Sequence, residues 1–127
     1  MPTPDAMAAA VRDYARRFSA GDRAGWLGLF VDQPTIIEPA DAPPRGREAL
    51  EQSFDGTVSA GLRVALTPLR VIANGRDAVM HMQVNLTFPD GRVTESSVIE
   101  IFSFADDGRI AAMRAFIQPD EKDHHEA

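Results

Sequence analysis

Three side chains of this 127-residue sequence combine a titratable group with apolar neighbours, a setting in which acid–base chemistry is common. Tyr14 is the only tyrosine, and it lies on a stripe of apolar residues at helical spacing. Glu100 has Val98 and Phe102 two residues away on either side, and strand periodicity puts these three on one face. Glu38 ends a short apolar run, just before a proline and an irregular loop. A phenol and two carboxyl groups in apolar surroundings can donate, hold and accept protons.

Each of the three also has an ordinary structural interpretation. Tyr14 is either directed at a polar group inside the fold or is a core tyrosine whose hydroxyl reaches the surface. Glu100 is either an acid whose pKa is raised by apolar surroundings, so that it can donate a hydrogen bond near neutral pH, or a glutamate at a sheet edge that reaches water. Glu38 lies either at the mouth of a pocket or at a solvated strand end. The residue types by themselves leave these alternatives open.

Other residues that could carry chemistry give weaker signals. His81 falls on the polar face of an alternating strand, where it is solvated or at an interface. The pair His124-His125 lies in an acidic tail, which lacks the fixed geometry and the outer hydrogen bonds that a metal site needs. The sequence contains no phosphate-cradling glycine loop and no G-x-S-x-G motif. Three methionines are predicted to lie in the core or to line a pocket: Met80, Met82 and Met113.

Composition excludes several classes of protein. Nineteen acidic and thirteen basic residues give a net charge of -6, without the clustered basic face that nucleic acids and anionic membranes attract. The absence of cysteine excludes disulfides and thiolate sites, and it fits a reducing cytoplasm. The apolar run Met7–Val11 is too short for a signal peptide, and no stretch approaches the roughly 18 apolar residues of a membrane span. We therefore expect a soluble, cytoplasmic protein.

Two predicted helices open the chain and position Tyr14. Thr3-Pro4-Asp5 marks the start of the first, with a capping hydroxyl, a proline in the first turn and an acid near the positive end of the helix dipole. Gly21 ends this helix, and Asp22 can cap a second, short one. The apolar stripe of the first helix consists of Met7, Ala10, Val11, Tyr14 and Phe18, and that of the second extends through Trp26, Leu29 and Phe30.

The rest of the chain predicts one more helix and a set of strands. A short strand from Thr35 to Glu38 ends at Pro39, and a turn-rich loop leads to a helix over about residues 46–58. Beyond it the hydrophobic pattern changes to period two, with a change of phase near Pro68 that predicts a bulge or bend. Turn signals rich in glycine, asparagine and aspartate separate four strands, predicted over residues 62–73, 78–88, 92–104 and 109–117.

This order of elements predicts the fold class. Helices followed by hairpin-linked strands are typical of an α+β fold, here with three N-terminal helices packed on a curved, mixed and mostly antiparallel β-sheet. The long strands and their bends indicate a sheet that wraps its helices and encloses a pocket. We predict a single domain over residues 1–127, with a flexible tail over about 119–127.

Short motifs along nearly the whole chain are shared with one enzyme family. Those in the N-terminal half are Thr3-Pro4, Met7, Tyr14, Ser19-Ala20-Gly21-Asp22, Leu29-Phe30-x-Asp32 and Thr35-x-x-Glu38-Pro39. Those in the C-terminal half are Ile99-Glu100-x-Phe102-x-Phe104 and Gly108-Arg109-Ile110-x-x-Met113-Arg114-Ala115. From about residue 3 to 117 the sequence resembles the Δ5-3-ketosteroid isomerase (steroid delta-isomerase) family of the nuclear-transport-factor-like superfamily.

The resemblance implies a cone-shaped domain, forming a homodimer, that isomerises β,γ-unsaturated 3-ketosteroids without a cofactor or a metal ion. It implies that Tyr14 is the oxyanion-hole tyrosine and that Glu38 takes the place of the general base. Glu100 falls where the family has a second oxyanion-hole donor, a carboxylic acid kept neutral by its apolar site. The partner is then a small apolar ketone, a steroid. The residues expected to contact it are Phe54, Met80, Met82, Val84, Phe102, Met113 and Phe116.

The sequence also departs from that family. Glu38 and Glu100 are each one methylene longer than the aspartates of the family, which changes the reach of both groups. Phe54 stands where the family often has another tyrosine. Two further interpretations therefore stay open. One is the same fold with a different acid–base reaction, such as polyketide cyclisation or epoxide opening, in a pocket too short or too polar for four fused rings. The other is a non-catalytic small-molecule binding or dimerisation module.

Overall fold

The computed structural model of the protein describes residues 1–118. The elements of its N-terminal half are the helices α1 (Pro4–Ser19), α2 (Arg23–Leu27) and α3 (Arg47–Ser59), with strand β1 (Phe30–Ile37) between the second and the third. The remaining strands are β2 (Arg63–Asn74), β3 (Asp77–Thr87), β4 (Val93–Phe104) and β5 (Ile110–Gln118). The predicted α+β class is confirmed. The predicted tail, with His124-His125, lies outside the described residues.

The start of α1 is the one that the sequence predicts. The Thr3 hydroxyl oxygen accepts a hydrogen bond from the backbone N–H of Ala6 at 3.1 Å, and Pro4 occupies the first turn. α1 carries four buried residues on one face, and Tyr14 is among them.

Within residues 1–118 no helix is long and apolar enough to cross a membrane.

The second helix is shorter than the sequence predicts. It ends at Leu27 with Gly28 as its cap, so Leu29 and Phe30 do not belong to it. The Leu29 carbonyl accepts a 2.8 Å hydrogen bond from the backbone N–H of Ile110, and Phe30 begins β1 in register with the same residue. The apolar spacing therefore continues from helix into strand. Leu29 and Phe30 leave the helix because they pair with the distant Ile110 at the edge of the sheet.

Five strands form one mixed sheet in the order β1-β5-β4-β3-β2. β1 and β5 are parallel, and the other neighbouring pairs are antiparallel, as predicted. β1 is an edge strand, which allows it to contain Pro34 and to begin earlier than the predicted Thr35. In β2 the register shifts between Pro68 and Arg70, which confirms the predicted irregularity.

The hydrophobic core lies between the helices and one face of the sheet. Register places Met80, Glu100 and Ala115 side by side on neighbouring strands, so that Glu100 belongs to the buried face. The Arg47 guanidinium fastens the start of α3 by donating to the backbone carbonyls of Val31 at 3.0 Å and of Leu27 at 3.1 Å. These contacts fix the start of α3 against the end of α2 and the start of β1. A backbone bridge between Ile36 and Arg45 holds the loop before α3 beside the other end of β1, where Glu38 follows.

Candidate active site

Tyr14 projects from the middle of α1 into the core. Only 5% of it is exposed, and its ring packs against three aromatic rings, with centroids 5.6 Å from Trp26, 6.1 Å from Phe30 and 5.1 Å from Phe102. Its hydroxyl donates a 3.2 Å hydrogen bond to Oε2 of Glu100. The phenol is thus directed at a polar group inside the fold and not at the surface.

Glu100 lies in the centre of the sheet and not at an edge. It is 2% exposed, in the middle of β4, with Val98 and Phe102 buried on either side. Burial in this apolar environment, and secondarily the nearby charge of Glu38, raise the pKa of Glu100 to about 8, while the hydrogen bond from Tyr14 acts in the opposite direction. The carboxyl group is therefore mostly neutral at pH 7.

The two oxygens of Glu100 have different surroundings. Oε2 accepts the hydrogen bond from Tyr14, whereas Oε1 is buried and has no hydrogen-bond partner within residues 1–118. A neutral carboxyl carries one proton, and Oε1 is the oxygen left to hold it while Oε2 accepts. Leaving a buried polar group unpaired costs about 1–3 kcal/mol, and an acceptor supplied by a bound molecule would remove that cost.

Glu38 follows directly after the last residue of β1, where part of its surface is exposed to solvent. Burial raises the pKa of its carboxyl above the ordinary value for glutamate. Throughout the described chain, no side chain forms a hydrogen bond or an ion pair with this carboxylate. Its charge contributes to raising the pKa values of Tyr14 and Glu100, so the three groups form one electrostatic unit. Glu38 is thus a carboxylate of increased basicity that is free to accept a proton.

Tyr14 and Glu38 line the same cavity, which has a volume of about 260 Å³. Glu100 is not among its lining side chains and joins the site through the hydrogen bond from Tyr14. Met113 also lines this cavity, in agreement with its predicted position. The other walls are formed by apolar and polar side chains from α2, β1, the loop before α3 and α3 itself. These residues are Trp26, Ile36, Arg45, Ala49, Leu50, Gln52 and Ser53.

The other residues expected to contact a substrate are distributed elsewhere. Met80, Met82 and Phe102 are core residues with at most 3% exposure, and Val84 is half-buried against the core. Phe54 lines a second cavity. Two further residues lie apart from these: Phe116 and His81.

Phe116 is 42% exposed on the face of β5 opposite Met113, because residues three apart in a strand point to opposite faces. It therefore does not face the cavity of Tyr14 and Glu38. His81 lies on the outer face, where its Nε2 is 2.8 Å from the hydroxyl oxygen of Ser97. The described residues contain no cluster of three or more histidines and acids that could hold a metal ion.

No sequence pattern indicates that Trp26, Arg45 and Leu50 line this cavity. Trp26 belongs to an apolar stripe, and a stripe does not distinguish a core wall from a cavity wall. Arg45 belongs to a loop whose position is set by a two-residue bridge, in which the backbones of Arg45 and Ile36 exchange two 2.8 Å hydrogen bonds. Only the burial of Leu50 could have been expected, from its place on the apolar side of the third helix.

Comparisons with known proteins identify the family of this chain and proteins of similar fold. The model of the SnoaL-like domain family matches residues 11–113. A steroid delta-isomerase of Nocardioides simplex is 29% identical over 112 residues, which are 87% of this chain and 89% of that protein. The structure of SalBIII, an epoxide hydrolase/cyclase-like enzyme in pyran ring formation of the polyether salinomycin, superposes with a TM-score of 0.78 at 24% identity, covering 88% of this chain and 90% of that one. The predicted kinship with ketosteroid isomerases is confirmed at the level of the family, and the chain belongs to the SnoaL-like domain family.

Proposed function

We propose that the protein is an isomerase of the steroid delta-isomerase type, which moves the C=C bond of a β,γ-unsaturated ketone into conjugation without a cofactor. In a 3-ketosteroid this is the shift from Δ5 to Δ4. The observation that carries the proposal is the hydrogen bond between Tyr14 and a neutral, buried Glu100 beside the unpaired Glu38 carboxylate. The isomerase relative supports the reaction type, since the chain covers 89% of it.

The reaction divides into two proton transfers. The ionised Glu38 removes a proton from the carbon between the ketone and the double bond, which corresponds to C4 of a steroid, and a dienolate forms as negative charge moves to the ketone oxygen. The protonated Glu38 then returns the proton at the far end of the dienolate, corresponding to C6. The bond order shifts by one position, and no atom is gained or lost. Positioned acid–base groups of this kind contribute about 10²–10⁴-fold in rate.

Tyr14 and Glu100 would stabilise the dienolate oxygen. When the ketone binds, its oxygen would replace Oε2 of Glu100 as the acceptor of the Tyr14 proton, and the Glu100 carboxyl, which does not line the cavity in the free protein, would turn toward the same oxygen. Burial, followed by the charges of Glu100 and Glu38, raises the pKa of Tyr14 well above its ordinary value, so its hydroxyl keeps its proton. The Glu100 Oε1–H has no acceptor within the described chain. Each donor directed at a developing oxyanion contributes about 2.7–4 kcal/mol in comparable enzymes.

The two glutamates would have different protonation states because their surroundings differ. Glu38 lies at the end of an edge strand with part of its surface exposed to solvent and can ionise, whereas Glu100 is enclosed in the sheet and stays neutral at pH 7. The charge on Glu38 itself disfavours ionisation of Glu100. One residue type thus supplies both a base and a hydrogen-bond donor.

A second candidate is epoxide opening, favoured by the small and partly polar cavity. Its 260 Å³ is below the roughly 300–1,000 Å³ usual for ligand pockets. In this reaction Glu38 takes the proton of an attacking hydroxyl as the new C–O bond forms. Tyr14, which lines the cavity, gives a proton to the epoxide oxygen as its C–O bond breaks and takes a proton from neutral Glu100 in turn. The structural similarity to SalBIII supports only the fold, but it shows that the fold is found in an epoxide hydrolase/cyclase-like enzyme.

We also propose that the protein forms a homodimer through the outer face of its sheet. Ile99 and Phe116 are neighbours in register on β4 and β5, and each is 42% exposed. Ile72 of β2 is exposed on the same sheet, and its register partner Val79 is half-buried. A contiguous apolar face of this kind is typical of a surface that a second copy covers.

The test follows conjugated-enone absorbance with two substrates, a Δ5-3-ketosteroid and cyclohex-3-enone, and follows product formation from a hydroxy-epoxide. We expect the wild-type protein to turn over at least one of the two ketones. Glu38→Gln should abolish this turnover, whereas Glu51→Gln, a matched change of a glutamate at the surface, should leave it intact. Ketone turnover that is absent, or that survives Glu38→Gln, would refute the isomerase. Turnover of the epoxide alone would assign the second candidate, and Tyr14-dependent binding of phenols without any turnover would indicate a binding module.

A further inference from the structure

We propose that Trp26 limits the length of the substrate. It separates the cavity of Tyr14 and Glu38, here named the catalytic cavity, from a second cavity in the same molecule. The folded protein would therefore prefer ketones of one or two rings, and a shorter side chain at position 26 would admit ring systems as long as a steroid. This inference rests on the proposed site, and it deepens the proposed function by naming the size class of the ketone.

The second cavity is larger than the catalytic cavity and has separate walls. Its volume is about 620 Å³, and it lies where the C-terminal ends of α1 and α3 meet the first residues of β2. No side chain lines both cavities. Among its apolar lining residues are Phe18, Phe54, Val58, Leu62 and Val64.

Trp26 bridges the two sets of walls. It lines the catalytic cavity together with Tyr14, and its ring centroid is 5.6 Å from that of Tyr14. Toward the second cavity, the Trp26 ring meets Phe18 at 4.9 Å and Phe54 at 5.8 Å, and both of those residues line that cavity. The partition between the cavities is therefore a short stack of aromatic side chains with Trp26 at its centre.

Packing alone holds Trp26 in this place. The residue is 1% exposed, and its buried Nε1–H has no hydrogen-bond acceptor in residues 1–118. A smaller apolar side chain at this position would break no hydrogen bond and would remove an unpaired buried donor. The length of the partition can therefore be varied without removing a hydrogen bond from Tyr14, Glu38 or Glu100.

The size of the catalytic cavity makes this partition decisive. A ketone must place its oxygen at Tyr14 and its acidic carbon near Glu38, so any further rings must extend away from that point. The catalytic cavity is smaller than usual ligand pockets, and its walls include the charged Arg45 and the polar Gln52. An extended apolar ring system finds further apolar walls past Trp26, in the second cavity.

The experiment measures the dissociation constants of phenol, 2-naphthol and estradiol, whose phenolic oxygens stand in for the dienolate oxygen. For the wild-type protein we expect estradiol to bind about tenfold or more weakly than 2-naphthol, because its outer rings have no room. In Trp26→Leu we expect the ratio of estradiol affinity to phenol affinity to rise about tenfold or more over that of the wild type. The ratio of kcat/KM for a Δ5-3-ketosteroid to that for cyclohex-3-enone should rise in parallel.

A second variant tests whether the gain in estradiol affinity arises in the second cavity. Val58 lines that cavity and is 65% exposed, so the fold accommodates a larger residue there. Adding Val58→Trp to Trp26→Leu should reverse the gain for estradiol and leave phenol binding unchanged. If Trp26→Leu does not fold, Trp26→Phe, which shortens the partition but keeps a ring, should show a smaller change in the same direction.

Two results would overturn the proposal: wild-type protein that binds estradiol at least as tightly as 2-naphthol, or a Trp26 variant that folds and leaves the estradiol-to-phenol ratio unchanged. Tyr14→Phe distinguishes this failure from a failure of the proposed function. Phenol binding that does not weaken in Tyr14→Phe would refute the site itself. Binding that depends on Tyr14 but not on the length of the ligand would refute only the role of Trp26.

Discussion

The Tyr14 hydroxyl donates a 3.2 Å hydrogen bond to Oε2 of Glu100, a residue 86 positions away in the sequence. Both side chains are enclosed in the core, with exposures of 5% and 2%. A helix and the middle of a sheet must therefore dock correctly before either polar group finds its partner. The pair couples the stability of the protein to the protonation of the site, since the same burial that hides Glu100 raises its pKa to about 8.

Stability should fall with rising pH because of Glu100. In the folded protein its pKa is about 8, whereas in the unfolded chain it is near the ordinary value of 4.5. Between these values the folded state binds more protons than the unfolded state, so the stabilising contribution is complete below about pH 4.5 and is lost as pH rises toward 8. We expect the free energy of unfolding, measured with urea, to decrease by roughly 3–5 kcal/mol over this range.

Glu100→Gln keeps the shape of the side chain but removes its titration, so it should flatten this pH dependence and make the protein more stable than the wild type at pH 9. Glu38 also has a raised pKa and would leave a smaller slope of the same sign. Glu95→Gln, in the same strand at an exposed position, serves as the control and should retain the wild-type slope. Equal slopes for wild type and Glu100→Gln would contradict a neutral, buried Glu100.

The pH dependence of catalysis should be bell-shaped. The proposed base, Glu38, must be ionised, so kcat/KM should rise with pH through a value above the ordinary glutamate pKa. The proposed donor, Glu100, must be protonated, so kcat/KM should fall as pH passes about 8. In Glu100→Gln the descending limb should disappear. A limb near pH 8 that persists in this variant would assign it to another group.

Tyr14→Phe should separate chemistry from packing. The ring keeps its contacts with Trp26, Phe30 and Phe102, but the hydroxyl is lost. We expect kcat/KM to fall about 10²–10³-fold because one donor to the oxyanion is gone. The free energy of unfolding should fall by about 1–3 kcal/mol, because both oxygens of Glu100 are then without a partner. A kcat/KM within about threefold of the wild type would exclude Tyr14 from the oxyanion hole.

The outer face of the sheet should determine the oligomeric state. Ile99→Glu places a charge at the centre of the proposed interface, next to Phe116 in register. We expect analytical ultracentrifugation to find a dimer for the wild type and a monomer for this variant, because burying an unpaired carboxylate is unfavourable. Val58→Glu, at an exposed apolar position away from this face, should remain dimeric. A wild-type protein that sediments as a monomer would refute the proposed dimer.

Local signals were enough to predict most of the secondary structure. Thr3 and Pro4 start α1 as capping chemistry requires, and the turn at Asn74-Gly75 joins two strands whose alternation matches their burial. The error at Leu29 and Phe30 has a non-local cause. Their apolar spacing continues that of the second helix, but a backbone hydrogen bond from Ile110 draws this segment into the sheet.

The sequence by itself determined the residue types of the candidate site and the faces on which they lie, because helical and strand periodicity are properties of the local chain. Tyr14 belongs to the apolar stripe of its helix, and Glu100 belongs to a mostly apolar face of its strand. Only the tertiary structure decided which of the alternatives each residue fulfils. A pKa depends on how much water and which charges surround a group, and these are set by segments distant in sequence.

The same distinction applies to the walls of the catalytic cavity. The interior position of Met113 follows from strand alternation, and the outward position of Phe116 follows from the odd spacing between them once the inner face is known. The place of Trp26 between two cavities does not follow from any pattern, because it depends on how three aromatic rings from different helices meet. Periodicity distinguishes inside from outside, whereas the shape of the space inside is fixed by packing between elements.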